Sequence, residues 1–299
     1  MRLVGVLILA GALAAIIVPG ANATRFADAP CLEAGPGGIR VCPGAVVGAS
    51  YAIRLEGEGG CGPDPNVPSS GLPYQFRLLA GTLPPGLSLR EDGLLGGVPR
   101  EAGSWTFWVE LSDQDPPSAA WCIPKKSERE FSIQVGPPRA VVGRPYSVSL
   151  GTTTSEPPTW SLASGHLPPG LALSPDGRVA GTPAIAGAFP IRLAAIESRG
   201  QTTFVDLTIP VVPRLVFVTR QLRALAVDHP YRAVVRTSGG VRPVSLQVVS
   251  GRLPKGIRLM TDSGLLLGKP RRSGIYAVTL RARDALGDTA KHTFRLTVR

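Results

Sequence analysis

A segment of this chain occurs three times, and this repeat limits the folds open to it more than any other sequence feature. The pattern G-x-L-P-x-G recurs in three stretches: residues 78–89 (LLAGTLPPGLSL), 162–173 (LASGHLPPGLAL) and 248–259 (VVSGRLPKGIRL). The equivalent glycines lie 84 and 86 residues apart: Gly86, Gly170 and Gly256. The 299 residues therefore contain three copies of one unit, each the size of a small domain.

Each unit carries the turn and strand signals of a β protein. In the first unit, Pro85 fixes φ at the second position of a turn and Gly86 supplies the positive φ at the third. Apolar residues then recur at every second position, over 105–111 in the first unit and 276–282 in the third. This period of two predicts strands with one face in solvent. We therefore predict an all-β protein of three tandem immunoglobulin/cadherin-like β-sandwiches.

The chain begins with an apolar leader and divides at two short linkers that contain proline. Arg2 precedes an apolar run, and the residues Ala-Asn-Ala at 21–23 form an A-x-A cleavage site. This layout predicts a signal peptide over 1–23, with an uncleaved membrane anchor as the alternative. The linkers predict three sandwich domains, joined by stiff connections, over residues 24–136, 137–212 and 213–299.

The repeated motif resembles a known family. The order of motifs resembles the bacterial "putative immunoglobulin" repeat, a relative of the dystroglycan-type cadherin-like domain. These motifs are G-x-L-P-P-G-L-S-L, a D-G hairpin, G-x-P and G-x-W-x-F-x-V. The resemblance covers three tandem copies over about residues 40–299, and the third departs from the motif at Lys255, Leu267 and Lys269. It implies a secreted or surface-exposed, non-catalytic adhesion or spacer module, and some cadherin-type relatives bind calcium.

A cadherin-type calcium site needs acidic side chains at the domain junctions, because calcium takes about six to eight oxygen ligands. The two junctions instead carry Arg139 and Arg214. The remaining candidates, Asp113 and Asp115, either cap a polar loop or form a weak calcium site. We expect no other cofactor.

The first unit differs from the other two by insertions at 57–72 and 112–127. In an immunoglobulin-like sandwich these would be the B–C and F–G loops, which emerge at the same end. One cysteine lies in each insertion, which favours a Cys61–Cys122 disulfide and a second, Cys31–Cys42, in an exported chain.

The bridged loops also hold candidate ligand contacts, because binding residues concentrate on loops held by a rigid scaffold. These contacts are Asp64, Trp121, Lys125 and Lys126. The alternative is that the tryptophan covers the disulfide and the insertions are structural.

Charge is distributed unevenly along the chain. Residues 24–136 carry a net charge of −4 and residues 137–212 carry +1, whereas residues 213–299 carry 17 Lys and Arg against 4 Asp and Glu. A field of one sign attracts polyanions. The candidate contacts are Arg252, Lys255, Arg258, Lys269, Arg271, Arg272, Arg281 and Arg283. The expected partners are anionic wall polymers, acidic polysaccharides, lipid headgroups or the acidic first unit of another copy; a merely solubilising surface is the alternative.

The sequence contains few residues in arrangements that could support catalysis. None of the three histidines, His166, His229 and His292, stands beside a G-x-S-x-G motif, and zinc-protease and phosphate-loop motifs are absent. We expect an exported, non-catalytic binding, adhesion or spacer module of the cell surface or extracellular space. Its ligand or protein partner is extracellular or in the cell wall, not nucleic acid, and the mature chain has no transmembrane segment. The alternative is a structural rod or a calcium-dependent cadherin-like adhesion component.

Overall fold

The structure is a computed structural model that describes residues 24–34, 38–60, 74–113 and 126–299. All regular elements within these ranges are β-strands. No helix in the described part of the chain has the length and apolar character needed to cross a bilayer. The expected signal peptide over 1–23 lies outside the described residues.

The first unit (24–136) is built from two facing sheets. Its strands are β1 (Arg25–Phe26), β2 (Leu32–Ala34), β3 (Ile39–Val41), β4 (Ala45–Val46), β5 (Tyr51–Arg54), β6 (Gly57–Glu58), β7 (Tyr74–Gly81), β8 (Leu87–Leu89), β9 (Leu94–Gly97), β10 (Glu101–Asp113) and β11 (Lys126–Gly136). One sheet has the order β5-β9-β8, and β1 and β6 form an additional two-stranded sheet. In the other, β10 pairs with β7 and β11, and β3 and β4 lie parallel to β11.

The second unit (137–212) repeats this plan. Its strands are β12 (Ala140–Val141), β13 (Tyr146–Thr152), β14 (Thr159–Gly165), β15 (Leu171–Leu173), β16 (Arg178–Gly181), β17 (Gly187–Ile196) and β18 (Thr202–Val212). Strands β13, β16 and β15 correspond to β5, β9 and β8, and the facing sheet has the order β12-β18-β17-β14.

The third unit (213–299) has the same two sheets. Its strands are β19 (Val216–Phe217), β20 (Tyr231–Val234), β21 (Thr237–Ser238), β22 (Ser245–Gly251), β23 (Ile257–Met260), β24 (Leu265–Gly268), β25 (Gly274–Arg283) and β26 (Thr289–Val298). The sheets have the orders β20-β24-β23 and β22-β25-β26, and β19 pairs with β21.

Each unit has a hydrophobic core between its two sheets, formed by the residues that the sequence alternation points inward. In β10, Trp105, Phe107, Val109 and Leu111 are all at most 2% exposed, as the period of two predicts. In β25 the buried residues are Val278, Leu280 and Ala282. Three separate clusters of buried residues result, one for each copy of the repeat. The predicted tandem β-sandwich fold is confirmed.

A tyrosine at the start of the equivalent strand anchors the same loop in all three units. The hydroxyl of Tyr51 donates to the carbonyl of Pro43 (2.9 Å), that of Tyr146 to Pro138 (3.2 Å) and that of Tyr231 to Arg223 (3.4 Å). The partner lies eight residues upstream in each case. Burial raises the pKa of the Tyr51 hydroxyl to about 12.

The first and second units share a sheet. Residues 101–104 of β10 pair in parallel with residues 149–152 of β13, so one sheet continues from one sandwich into the next. The two backbones approach closely because both strands have glycine at the contact. A Cβ atom on Gly103 would lie 1.6 Å from the carbonyl oxygen of Gly151. Ala102 of the first unit packs into the core of the second.

Candidate ligand-binding surfaces

Most of the bridged loop end predicted for the first unit falls outside the described residues. This applies to the following residues: Cys61, Asp64, Asp115, Trp121, Cys122 and Lys125. The Cys61–Cys122 disulfide and the ligand contacts on these loops therefore stay predictions. The other expected disulfide is present, since Cys31 and Cys42 are bonded and both are buried.

Asp113 is the last residue of β10, and its counterparts show what an acid does at this position. It is buried, as are Glu197 in the second unit and Asp284 in the third. Asp284 accepts the amide of Val241 through Oδ2 (2.8 Å) and that of Asp288 through Oδ1 (2.7 Å). An acid here thus ties two loops together at one end of the sandwich.

Calcium binding at Asp113 and Asp115 stays a prediction. The carboxylate of Asp113 lies against Gly60, where a Cβ atom would be 2.2 Å from Oδ2. Among the described residues, His, Cys, Asp and Glu form no group of three that could hold a metal ion. Asp115, the second candidate ligand, is not among those residues.

Lys126 is paired within the first unit. Its Nζ lies 3.0 Å from Oε2 of Glu110, and Nη2 of Arg77 lies 3.2 Å from the other carboxylate oxygen. The hydrogen bond from Lys126 lowers the pKa of Glu110, and its effect, together with the charges of both cations, exceeds the opposing effect of burial. Lys126 therefore serves as a counter-ion to a nearly buried carboxylate.

Seven of the eight predicted basic residues of the third unit lie on two surfaces. The first, the basic sheet face, is the outer side of β25 and β26 and comprises Arg281, Arg283, Lys291 and Arg295. Arg281 lies directly opposite Lys291 in the strand register. Like charges at opposite positions repel each other, so this pair opposes folding.

The second surface, the basic tip, surrounds the proline-containing turn between β22 and β23. Its residues are Arg252, Lys255, Lys269, Arg271 and Arg272, and all of them are exposed. Gly256 has a φ of 98°, and a Cβ atom there would lie 2.0 Å from the carbonyl oxygen of Lys269. The turn thus holds its basic residues close to those that follow β24. Arg258, on β23, is exposed but lies outside both surfaces.

The cations of the third unit lack ion-pair partners within the described part of the chain. None of its Lys or Arg side chains forms an ion pair with any described residue. Two of its four acids, Asp284 and Asp288, are buried. At the position where Thr279 faces Thr293 in the third unit, Arg192 and Asp206 form a salt bridge in the second. At this position the third unit therefore has neither the cation nor the acid of the second unit.

The three histidines have separate local contacts. His166 packs edge-on against Phe189, with ring centroids 5.8 Å apart. Nδ1 of His229 lies 2.8 Å from the carbonyl oxygen of Val227, and Nε2 of His292 lies 3.0 Å from that of Arg220. These contacts are with backbone and aromatic groups, which is typical of structural histidines.

Two residues of the basic sheet face, Lys291 and Arg295, were absent from the candidates identified in the sequence. Their neighbours in β26 carried the signal, because the buried Phe294, Leu296 and Val298 set the alternation that directs Arg295 outward. The pairing of Lys291 with Arg281 depends on the register between two strands, which alternation within one strand does not give.

Comparison with known proteins agrees with this architecture. The family model described as "Putative Ig domain" matches residues 131–212 and 216–299, more than half of the chain. These are the second and third copies, although the motif in the third copy departs from the pattern; the first copy, which contains the insertions, is not matched. No curated protein matches the chain.

Three solved structures illustrate the similarity. A "putative alpha-galactosidase" of Bacteroides fragilis is 24% identical over 29% of this chain, which spans only 18% of that protein, with a TM-score of 0.26. Mouse cadherin-23 EC22–24 is 16% identical (93% of this chain, 99% of that one, TM-score 0.32). Extracellular domains 3–5 of Drosophila OTK are 14% identical (90% and 100%, TM-score 0.37). By the match of the family model to its second and third repeats, this chain belongs to the "Putative Ig domain" family.

Proposed function

We propose that this chain is an exported, non-catalytic binding module whose third unit contacts an anionic polymer through the basic sheet face and the basic tip. Tandem Ig-like repeats suggest an adhesion or spacer module. The Cys31–Cys42 disulfide is consistent with an extracellular location.

The observation that carries the proposal is the unpaired charge of the third unit. A sandwich surface selected only for solubility would be expected to intersperse both signs, as the Arg192–Asp206 pair does in the second unit. The third unit instead places Arg281 opposite Lys291, with Arg295 on the same face. Repulsion between these cations is relieved when an anionic ligand lies across the strands.

The test is binding of the purified chain to an immobilised anionic wall polymer of the teichoic type, at about 50 mM and about 500 mM salt. We expect binding at low salt that is lost at high salt. The triple variant Arg281→Gln, Lys291→Gln and Arg295→Gln should bind much more weakly.

A matched control removes the same charge elsewhere. Arg90, Arg139 and Arg178 are exposed and lie outside the third unit. Their replacement by glutamine should leave binding nearly unchanged. Equal losses in both triple variants would mean that only net charge matters, and absence of binding at low salt would overturn the proposal.

A rigid spacer is the second candidate function, and the junctions between units favour it. The first and second units share a sheet through β10 and β13. The second and third are connected by a salt bridge between Arg144 and Asp288. Small-angle scattering from the purified chain tests this candidate: a rod requires one narrow distance distribution, whereas independent motion of the units gives a broad one.

A further inference from the structure

One core position differs between the three units, and in the third it lines a cleft. This position is Phe76 in the first unit, Trp160 in the second and Leu246 in the third. In the first two units the aromatic ring lies against the glycine of the facing hairpin. A Cβ atom on Gly177 would be 2.6 Å from the indole of Trp160, and one on Gly93 would be 2.9 Å from the ring of Phe76.

The third unit has a smaller side chain at this point. A Cβ atom on Gly264, the corresponding hairpin glycine, would be 3.8 Å from Cδ1 of Leu246, and its nearest neighbour would instead be the backbone carbonyl oxygen of Val235 at 2.4 Å. A cleft of about 1190 Å³ lies beside this position, lined mainly by loop residues, with the buried Val235 and Leu246 among the others. A volume of this order accommodates a ligand of several rings.

Three arginines from separate segments line the cleft. Arg236 follows β20, Arg242 lies in the loop between β21 and β22, and Arg283 ends β25. All three are exposed, and none forms an ion pair with a described residue. Guanidinium groups bind carboxylate, sulfate and phosphate oxygens through paired hydrogen bonds.

Two acids also line the cleft, and one of them is already engaged. Both carboxylate oxygens of Asp284 accept backbone amides, from Val241 and Asp288. Asp262 is exposed and accepts a hydrogen bond from Thr261. Arginines therefore outnumber carboxylates in the lining, and the excess favours an anionic ligand.

The backbone along the cleft is not open for strand pairing. The carbonyl of Arg236 accepts the amide of Val218 (2.9 Å), and the amide of Arg236 donates to Oγ1 of Thr219 (2.8 Å). An extended peptide that binds by adding a strand would need these groups. Recognition by side chains is therefore favoured, and hydroxyl groups of Ser245 and Ser263 stand in the lining beside the arginines.

We propose that this cleft binds a short acidic oligosaccharide whose sugar units carry carboxylate or sulfate groups. The inference rests on the proposed function, because it assigns a specific anionic ligand to the same unit. It differs from that function in mechanism: polymer binding uses open surfaces, whereas this site has a shaped cleft and saturates with one short ligand.

The test is isothermal titration calorimetry of the whole chain with trigalacturonate, with a chondroitin 4-sulfate disaccharide in a second arm and neutral maltotriose as the control sugar. We expect saturable binding of one or both acidic sugars and none of maltotriose. The two arms distinguish carboxylate from sulfate recognition.

Leu246→Trp places in the third unit the side chain that occupies this position in the second. It should fill the cleft and weaken acidic sugar binding by about tenfold or more, while binding to the anionic polymer persists. Arg236→Gln with Arg283→Gln should cause a similar loss without altering the core. The matched control is Arg258→Gln, an exposed cation of the same unit outside the cleft, which should bind as the original chain does.

Failure of the two proposals can be distinguished. If the chain binds polymer but neither acidic sugar, the cleft proposal is wrong and the proposed function stands. Undiminished sugar binding in both Leu246→Trp and the double arginine variant also overturns the cleft proposal. Circular dichroism and the melting temperature establish that each variant is folded, and the double arginine variant decides the outcome if Leu246→Trp does not fold.

Discussion

The guanidinium of Arg144, in the second unit, binds one carboxylate oxygen of Asp288, in the third, through both Nη2 (2.6 Å) and Nε (3.0 Å). The other oxygen of Asp288 accepts the amide of Leu215 (3.2 Å). The side chain of Asp288 is only 4% exposed. A single buried carboxylate therefore connects two units and also fixes the first residues of the third.

Replacement of Arg144 by alanine should destabilise the third unit, because the buried carboxylate loses its counter-charge. Since the side chain of Arg144 is itself partly exposed, we expect a loss of about 1–2 kcal/mol in the free energy of unfolding. Urea denaturation, monitored by hydrogen exchange in residues 213–299, measures this loss of stability. Arg178→Ala is the control, since Arg178 is exposed and bonds only within its own unit, to Ser147. Equal effects of the two substitutions would contradict the prediction.

The same contact should weaken in acid. Burial raises the pKa of Asp288, but hydrogen bonds from Arg144, Leu215 and Thr289 and the charge of Arg144 lower it more, so the pKa lies below its ordinary value. A carboxyl group whose pKa is depressed by folding stabilises the folded state above its unfolded pKa of about 3.9. That contribution is lost as the pH falls through the folded pKa.

Urea midpoints of the third unit, measured from pH 7 down to about pH 2, should therefore fall in the original chain below about pH 4. The fall should be smaller in Arg144→Ala, in which the pKa of Asp288 is less depressed. Parallel curves for the two proteins would show that other carboxyl groups govern the acid response.

Gly103→Ala should disrupt the sheet shared by the first two units. The added Cβ atom would lie 1.6 Å from the carbonyl oxygen of Gly151, which is backbone and has little freedom to move. We expect a loss of about 1–3 kcal/mol in the stability of the junction, as for overpacked sites. The control is Gly187→Ala, at the equivalent position of the second unit, where the nearest atom is a ring carbon of Phe189 at 3.3 Å.

Hydrogen exchange in residues 149–152 reports on this junction, except at Leu150, whose amide donates to the carbonyl of Gly177 within the second unit (2.7 Å). Faster exchange in Gly103→Ala and near-normal exchange in Gly187→Ala are expected. If both variants retain protected amides in β13, the contact between the two glycines does not determine the pairing.

Removal of the Cys31–Cys42 disulfide, as Cys31→Ala with Cys42→Ala, should lower stability mainly by freeing the unfolded chain. The loop that it closes is short, with a sequence separation of 11 residues, so we expect about 2–3 kcal/mol. Buried Arg40 should limit the structural damage, since its guanidinium donates to the carbonyls of Phe26 (3.2 Å) and Ala27 (2.7 Å). Urea denaturation of the first unit checks the magnitude, and an unchanged midpoint would refute it.

Peptide mapping without reduction tests the second disulfide. We expect a peptide that joins Cys61 to Cys122, since one cysteine lies in each insertion of the first unit. A peptide that joins Cys61 to Cys31 would contradict both the prediction and the Cys31–Cys42 bond.

Sequence patterns predicted the architecture because its signals are local. Alternation in β10 places Trp105 and Phe107 in the core, and the repeated Leu-Pro-x-Gly turn positions Gly86, whose φ is 95°. The candidate site was less predictable because it depends on distant partners. Nothing near Lys126 in sequence shows that it would pair with Glu110, and the cleft beside Leu246 is evident only when three units are compared in space.

The parallel contact between β10 and β13 has a consequence for how chains behave at high concentration. A strand at the rim of a sheet offers unpaired amides and carbonyls to other molecules, and natural proteins cover or blunt such rims. In the second unit, residues 149–152 are covered by the preceding unit of the same chain. The tandem arrangement thus protects this segment from the addition of a strand from another chain. In each chain, the first unit therefore prevents aggregation through this part of the second.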